Sequence, residues 1–248
     1  MKVVNKCIRR LVLCCGILFF NPMSGYADIR TGLVGWWRLN ESLGTTAADS
    51  SGNGNTGILV NSPRWTTGKI GNAVTTTNGY VNCGTGSSLD LANGSAVSMC
   101  AWVNPSSFPG GFEGIMAKRT GSYAYGINFN GGNFQVYTSG GSGIQIFSYT
   151  LPLGVWTHIC GIMSSSPTEL YVNGALNATL GSGGGVQSNS SDPFVIGQSG
   201  TVAEIFVGSI DDVRIYNRVL TAGDVAQLYK TGPRNLRNAH LINLKGME

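Results

Sequence analysis

The chain has 248 residues, with 16 basic and 12 acidic side chains, 37 glycines and only 11% charged residues. All four charges in the first 27 residues are basic, so without that stretch the count falls to 12 basic against 12 acidic and the chain is formally neutral. Such a balance points to neither a nucleic acid nor an acidic membrane as partner, and a composition so rich in turn formers disfavours a helical protein.

The N-terminus reads as a signal peptide over residues 1–27. Lys2, Lys6, Arg9 and Arg10 form a basic n-region, Leu11–Phe20 form an apolar run, and Ser24-Gly-Tyr-Ala27 supplies small residues for cleavage before Asp28. The apolar run is too short to span a bilayer, and no second one follows. Cys14 follows Leu13 rather than the small residue that lipid attachment wants. The expected location is therefore extracytoplasmic: extracellular, periplasmic or on the cell surface. Of six cysteines, Cys83, Cys100 and Cys160 survive cleavage, which predicts one disulfide and one odd thiol.

From Leu33 the pattern alternates as in a strand, with Leu33, Gly35, Trp37 and Leu39 on one face and Val34, Trp36 and Arg38 on the other. Asp49–Gly57 is a loop built from turn residues. Short strands are predicted at Ile58–Val60, Ala73–Thr77 and Tyr80–Cys83, and a stronger one at Val97–Val103, closed by Pro105. Gly114–Ala117, Tyr123–Phe129, Asn133–Tyr137, Ile144–Tyr149, Trp156–Met163 and Glu169–Val172 follow, with hairpin turns at Asn130-Gly-Gly and Asn173-Gly174. Phe194–Ile196, Ala203–Phe206 and Gly208–Tyr216 complete the set. In the last, Asp211 is expected to share the face of Val213 and Ile215. A short helix comes next, with Thr221 as N-cap, Asp224 three residues on, and Val225, Leu228 and Tyr229 as its apolar stripe.

A dozen or more strands without helical crossovers predict an all-β fold, an antiparallel sandwich or barrel, in one domain over residues 28–232. The last strand is expected to pair with Gly32–Leu39. Residues 233–248 read as a tail outside the fold.

Seven stretches, taken in order, resemble a known family. They are Gly32–Glu41, Asp49–Gly57, Trp65–Ala73, Ser98–Val103, Trp156–Cys160, Leu170–Gly174, and the last strand with its helix. In that order they are similar to the laminin G-like domains of the concanavalin A-like lectin/glucanase superfamily. The resemblance implies a two-sheet jelly-roll sandwich, and a disulfide between Cys100 and Cys160 as in its pentraxin-type branch, leaving Cys83 as the odd thiol. Pentraxins carry acidic calcium ligands after the segment matching Ile196-Gly-Gln198. Here Ser199-Gly-Thr offers no carboxylate, so calcium-dependent phosphocholine binding is not implied.

Catalytic chemistry finds little to work with. After cleavage only His158 and His240 remain, and His158 reads as a packed structural imidazole. Neither G-x-S-x-G nor H-E-x-x-H occurs, and Glu41, Glu113, Glu169, Glu204 and Glu248 lack the paired acid that glycosidases use. Asp49, Asp211 and Asp212 are the candidate ligands for a calcium ion, with loop carbonyls near Gly52 and Gly54. Tyr123, Tyr125, Phe147 and Tyr149 are the candidate sugar-binding aromatics, near Asn128, Asn130 and Gln145. The five tryptophans read as packing residues. The leading expectation is a secreted, non-enzymatic recognition domain for a glycan or glycoconjugate. An adhesion or structural module that binds a surface protein is the second, and a divergent polysaccharide-active enzyme the third.

Overall fold

The computed structural model describes residues 28–120, 122–131, 133–138, 143–165, 167–181, 184–188, 191–199 and 204–231. The expected signal peptide, the tail and Ala203 lie outside the described residues, as does the side chain of Tyr123. In chain order the strands begin with β1 (Leu33–Trp37), β2 (Thr46–Ala47), β3 (Gly57–Val60), β4 (Arg64–Thr67), β5 (Asn72–Thr75) and β6 (Tyr80–Asn82). Next come β7 (Val97–Pro105), β8 (Phe112–Thr120), β9 (Ser122–Asn130), β10 (Asn133–Thr138) and β11 (Ile144–Phe147). The last are β12 (Thr157–Met163), β13 (Thr168–Val172), β14 (Ala175–Leu180), β15 (Phe194–Ile196) and β16 (Gly208–Tyr216), followed by one helix, α1, over 222–231.

These strands form two antiparallel sheets. The first runs β14-β13-β12-β7-β16-β5-β4, with β1 also on β16, and the second runs β11-β10-β9-β8-β15-β6-β3-β2. Nearly all-β, in two sheets with one helix, this is the jelly-roll sandwich expected from the sequence. As anticipated, β16 closes the fold onto the start of the domain. Its first residues pair with β5 at Ser209 and Ile210, and its second half pairs with β1 through Val213–Tyr216.

Between the sheets lies the main core. Val97, Met99, Ala101 and Val103 of β7 meet Tyr125, Ile127, Phe129, Phe134 and Phe194 from the other side. β7 and β12 are buried on both faces, because α1 covers the outer face of the first sheet. There Cys100, Cys160, Tyr171 and Tyr216 pack against Leu220, Val225 and Leu228. The helix is capped as its sequence dictates. Thr221 Oγ1 accepts from the Asp224 N–H (3.1 Å) and Asp224 Oδ2 accepts from the Thr221 N–H (2.9 Å), a reciprocal box. Cys100 and Cys160 lie directly opposite each other on β7 and β12 and form the disulfide; Cys83 is a buried free thiol.

Two irregularities overturn the simple alternation. A register shift between Leu33 and Gly35 puts both Val34 and Trp37 into the core, and leaves Leu33 and Trp36 on the outer face. A second shift, between Asp211 and Arg214, sets Asp212 at φ 48°. Ile210, Val213 and Ile215 all reach the core, and Asp211 lies opposite Trp102 on the outer face rather than beside Val213. One extra residue in a strand reverses side-chain parity beyond it.

Three buried ionisable groups give the fold a distinctive pH dependence. Burial raises Asp211 from its ordinary 3.8 to about 7, and raises Glu113 from 4.5 to about 7. The N–H of Ile70 on Asp211 Oδ2 (2.8 Å), and the amide of Val207 at Glu113, only partly offset this. Burial, aided by Arg214, lowers His158 from 6.5 to about 3. Between pH 4.5 and 6.5 the two acids hold protons in the folded state that the unfolded chain has released, so stability falls as pH rises. His158 opposes them: the unfolded chain binds its proton and the folded one does not. One net proton remains, worth at most about 1.4 kcal/mol per pH unit. We expect urea unfolding to show stability falling from pH 4.5 towards 7, and a steeper fall in His158→Asn. Stability rising over that range would contradict these assignments.

Candidate functional site

Trp36 lines two clefts of the described surface, and a third adjoins them through Arg38 and Asn40. Turned outward by the shift in β1, Trp36 faces Arg214 across the β1–β16 pairing. Its Nε1 donates to Asp212 Oδ1 (2.6 Å), and the guanidinium carbons of Arg214 and Arg38 lie 4.4 and 5.5 Å from a ring centroid. Asp212 is held in turn by Arg214, through Nε (3.2 Å) and Nη2 (2.9 Å to Oδ2). The left-handed backbone of Asp212 at the bulge thus places a carboxylate that both Trp36 and Arg214 use.

Past β1 the chain runs through Arg38, Asn40 and Glu41, which with Ala48 and Ser50 line a cleft of about 330 Å³. The Asn40 amide is fixed by its Oδ1, which accepts from the Asn72 N–H (3.0 Å). Glu41 Oε1 accepts from the Ala48 N–H (2.8 Å), while Oε2 is buried and has no hydrogen-bond partner. An ionised carboxylate accepts on both oxygens, so leaving one unmatched in a sheltered position is costly unless a ligand donates to it. Arg38 contributes donors, and Asn40 and Ser50 contribute both donors and acceptors, around the same space. On the other side of Trp36 a second cleft, of about 170 Å³, runs between β1, β16 and α1.

The expected calcium ligands do not converge. Asp49 Oδ1 accepts from the N–H groups of Trp36 (3.0 Å) and Ser51 (2.8 Å); Oδ2 accepts from the Ser51 hydroxyl (2.9 Å) and the Asn55 N–H (2.9 Å). Asp212 belongs to Trp36 and Arg214, and Asp211 to the Ile70 amide. Among the described residues no three His, Cys, Asp or Glu side chains are grouped to hold a metal.

Of the expected sugar-binding aromatics, Tyr125, Phe147 and Tyr149 have described side chains. Tyr125 and Phe147 belong to the inter-sheet core, and the Tyr125 hydroxyl donates to Leu89 O (2.7 Å). Tyr149 is half-buried against that core. Strand alternation sends Tyr125 and Phe147 inward, and the only polar atom that Tyr125 brings finds a backbone partner there. Among the five tryptophans, Trp36 stands out from the inter-sheet core, on the outer face between Arg38 and Arg214. A signal was present: Trp36 and Trp37 are adjacent, so on a regular strand only one of them can face the core.

A laminin G family model, described as the Concanavalin A-like lectin/glucanases superfamily, matches residues 75–226. The chain belongs to that superfamily. Its likeness to solved structures shows the same fold at low identity. Domain 4 of AbnA, a GH43 extracellular arabinanase from Geobacillus stearothermophilus, in complex with arabinotriose, is 21% identical; the match covers 79% of this chain and 98% of that one, with a TM-score of 0.63. The binding domain of Paraclostridial Mosquitocidal Protein 1 is 16% identical over 82% of this chain and 53% of that one, with a TM-score of 0.67. Trypanosoma rangeli sialidase in complex with sialic acid is 17% identical, with a TM-score of 0.58 over 80% of this chain; the chain spans only 32% of that protein. No curated protein is a significant sequence match. The Glu41 cleft, lined by residues 38–50, precedes the segment that the family model matches, so it is read from this chain's own residues.

Proposed function

We propose that this laminin G-like domain is an exported, non-enzymatic glycan-binding module, and that it takes its sugar in the cleft lined by Arg38, Asn40 and Glu41. The observation that carries this reading is Glu41 Oε2, a buried carboxylate oxygen without a donor, in an open cleft otherwise lined by Arg38, Asn40 and Ser50. Planar polar side chains that present donors and acceptors together are what a ring of sugar hydroxyls requires. Arg38 and Asn40 bind the outer hydroxyls, and Glu41 accepts from the innermost one. The arabinotriose complex of the arabinanase domain shows that a sandwich of this fold can hold an oligosaccharide, and supports the class of ligand without naming it. Export rests on the basic and apolar segments of residues 1–27, and the buried disulfide is consistent with it. N-terminal sequencing of the exported protein is expected to begin at Asp28.

A panel of neutral oligosaccharides, arabino-oligosaccharides included, tests the reading by calorimetric titration. Glu41→Gln and Arg38→Ala should each weaken a bound sugar about 10-fold, as loss of a charged hydrogen bond does. Absence of binding across the panel, or unchanged affinity in both variants, would sink it.

A further inference from the structure

On the far side of Trp36, the 170 Å³ cleft has a different character. None of its lining side chains is acidic; Arg30, Arg214 and Gln227 line it, while Ile29 and Leu33 form an apolar wall. At its floor is Tyr216, fully buried by α1, with a hydroxyl that makes no hydrogen bond. Arg214 lies near that hydroxyl without meeting hydrogen-bond geometry; burial raises the Tyr216 hydroxyl above its ordinary 10 and keeps it a phenol, with Arg214 only partly offsetting this. Asp212 occupies Nε and Nη2 of Arg214, which leaves Nη1 outside that ion pair. The Arg30 guanidinium is exposed and in no salt bridge among the described residues, while the Arg30 N–H donates to Asp28 Oδ1 (3.0 Å).

A sheltered hydroxyl without an acceptor costs free energy that an incoming acceptor recovers. Two guanidinium groups beside it set the charge of that acceptor, since arginine's planar fork matches a planar carboxylate. Ile29 and Leu33 give the rest of the ligand an apolar surface to lie on. We propose that this cleft is a second binding site, specific for a carboxylate-bearing small molecule or terminal group. The carboxylate accepts from Tyr216 Oη and pairs with Arg30, and its carbon skeleton lies against Ile29 and Leu33. The site is separate from the Glu41 cleft, and its ligand need not be a glycan.

Titrating the purified protein with benzoate, glucuronate, benzyl alcohol and glucose, followed by ligand-observed NMR, decides the matter. Both carboxylates should bind and their neutral counterparts should not. Tyr216→Phe and Arg30→Ala should each weaken the carboxylates about 10-fold, while leaving neutral oligosaccharides at the Glu41 cleft unaffected. Tighter binding of benzoate assigns the site to free organic acids; tighter binding of glucuronate assigns it to acidic sugar residues. Should Tyr216→Phe fail to fold, Arg30→Ala decides alone, because Arg30 is exposed. No binding of either carboxylate, equal binding of benzyl alcohol, or an unchanged affinity in Arg30→Ala would overturn the proposal.

Discussion

Replacing both Cys100 and Cys160 by alanine is expected to lower the stability of the fold by about 4 kcal/mol. The bridge spans 60 residues of sequence and joins the two central strands of the first sheet beneath α1. In the unfolded chain it closes a long loop, and removing it restores the entropy of that loop. For a domain whose total stability is of order 5–15 kcal/mol, such a loss is a large fraction. Urea denaturation of the double variant should show a much lower midpoint with a similar native fold. Cys83→Ala is the control: its thiol is buried but bonded to nothing, so only a small packing loss is expected. A double variant within 1 kcal/mol of the parent would mean that the cross-strand packing alone holds these strands.

Asp49→Ala is expected to cost about 3 kcal/mol, because four donors lose their acceptor at once. Its carboxylate gathers the amides of Trp36, Ser51 and Asn55 and the hydroxyl of Ser51, and so ties the polar loop to β1. The same loop carries Asn55, whose carbonyl accepts from Trp37 Nε1 (2.8 Å) while the Trp37 ring stacks on Phe194 at 5.2 Å. Losing Asp49 therefore loosens both the core tryptophan and the rim of the Glu41 cleft, and sugar affinity should fall with stability. Thermal unfolding checks the first effect and titration the second. Calcium ligation would make a different demand on Asp49, since a carboxylate with four donors has little left for an ion. Adding calcium or a chelator should leave the melting temperature of the parent unchanged, and a calcium-dependent rise would return Asp49 to a metal site.

Much of this architecture is legible in the residues, for physical reasons that also mark where legibility ends. The reciprocal cap at Thr221 and Asp224 and the Asn173-Gly174 turn follow from local chemistry, whereas the pairing of Gly208–Tyr216 with Gly32–Leu39 spans the whole domain and is legible through the family resemblance. At that turn the two φ angles are 50° and 82°, which asparagine and glycine tolerate best. The edge strands Arg64–Thr67 and Ala175–Leu180 are exposed or half-exposed, so they lack the apolar alternation that reveals a strand, and they went unpredicted. Face assignments fail at Val34 and at Asp211 because a bulge inserts a residue without leaving a compositional mark. Tyr125 and Phe147 illustrate a limit of reading aromatics as sugar platforms: a strand's inner face and its outer face use the same residues. The site itself was the least legible part. Arg38, Asn40, Glu41 and Ser50 lie outside the strands, and only the way β1 and the Asp49 loop are tied together makes them neighbours.

The most direct measurement follows backbone and indole resonances of ¹⁵N-labelled protein during titration with the tightest-binding oligosaccharide of the panel. The Trp36 Nε1 signal and the amides of Arg38, Asn40, Glu41 and Ser50 are predicted to shift together, and Glu41→Gln to reduce the response. Shifts confined to the segments around Tyr125, Phe147 and Tyr149, with the Trp36 indole silent, would contradict the assignment of the sugar to this cleft.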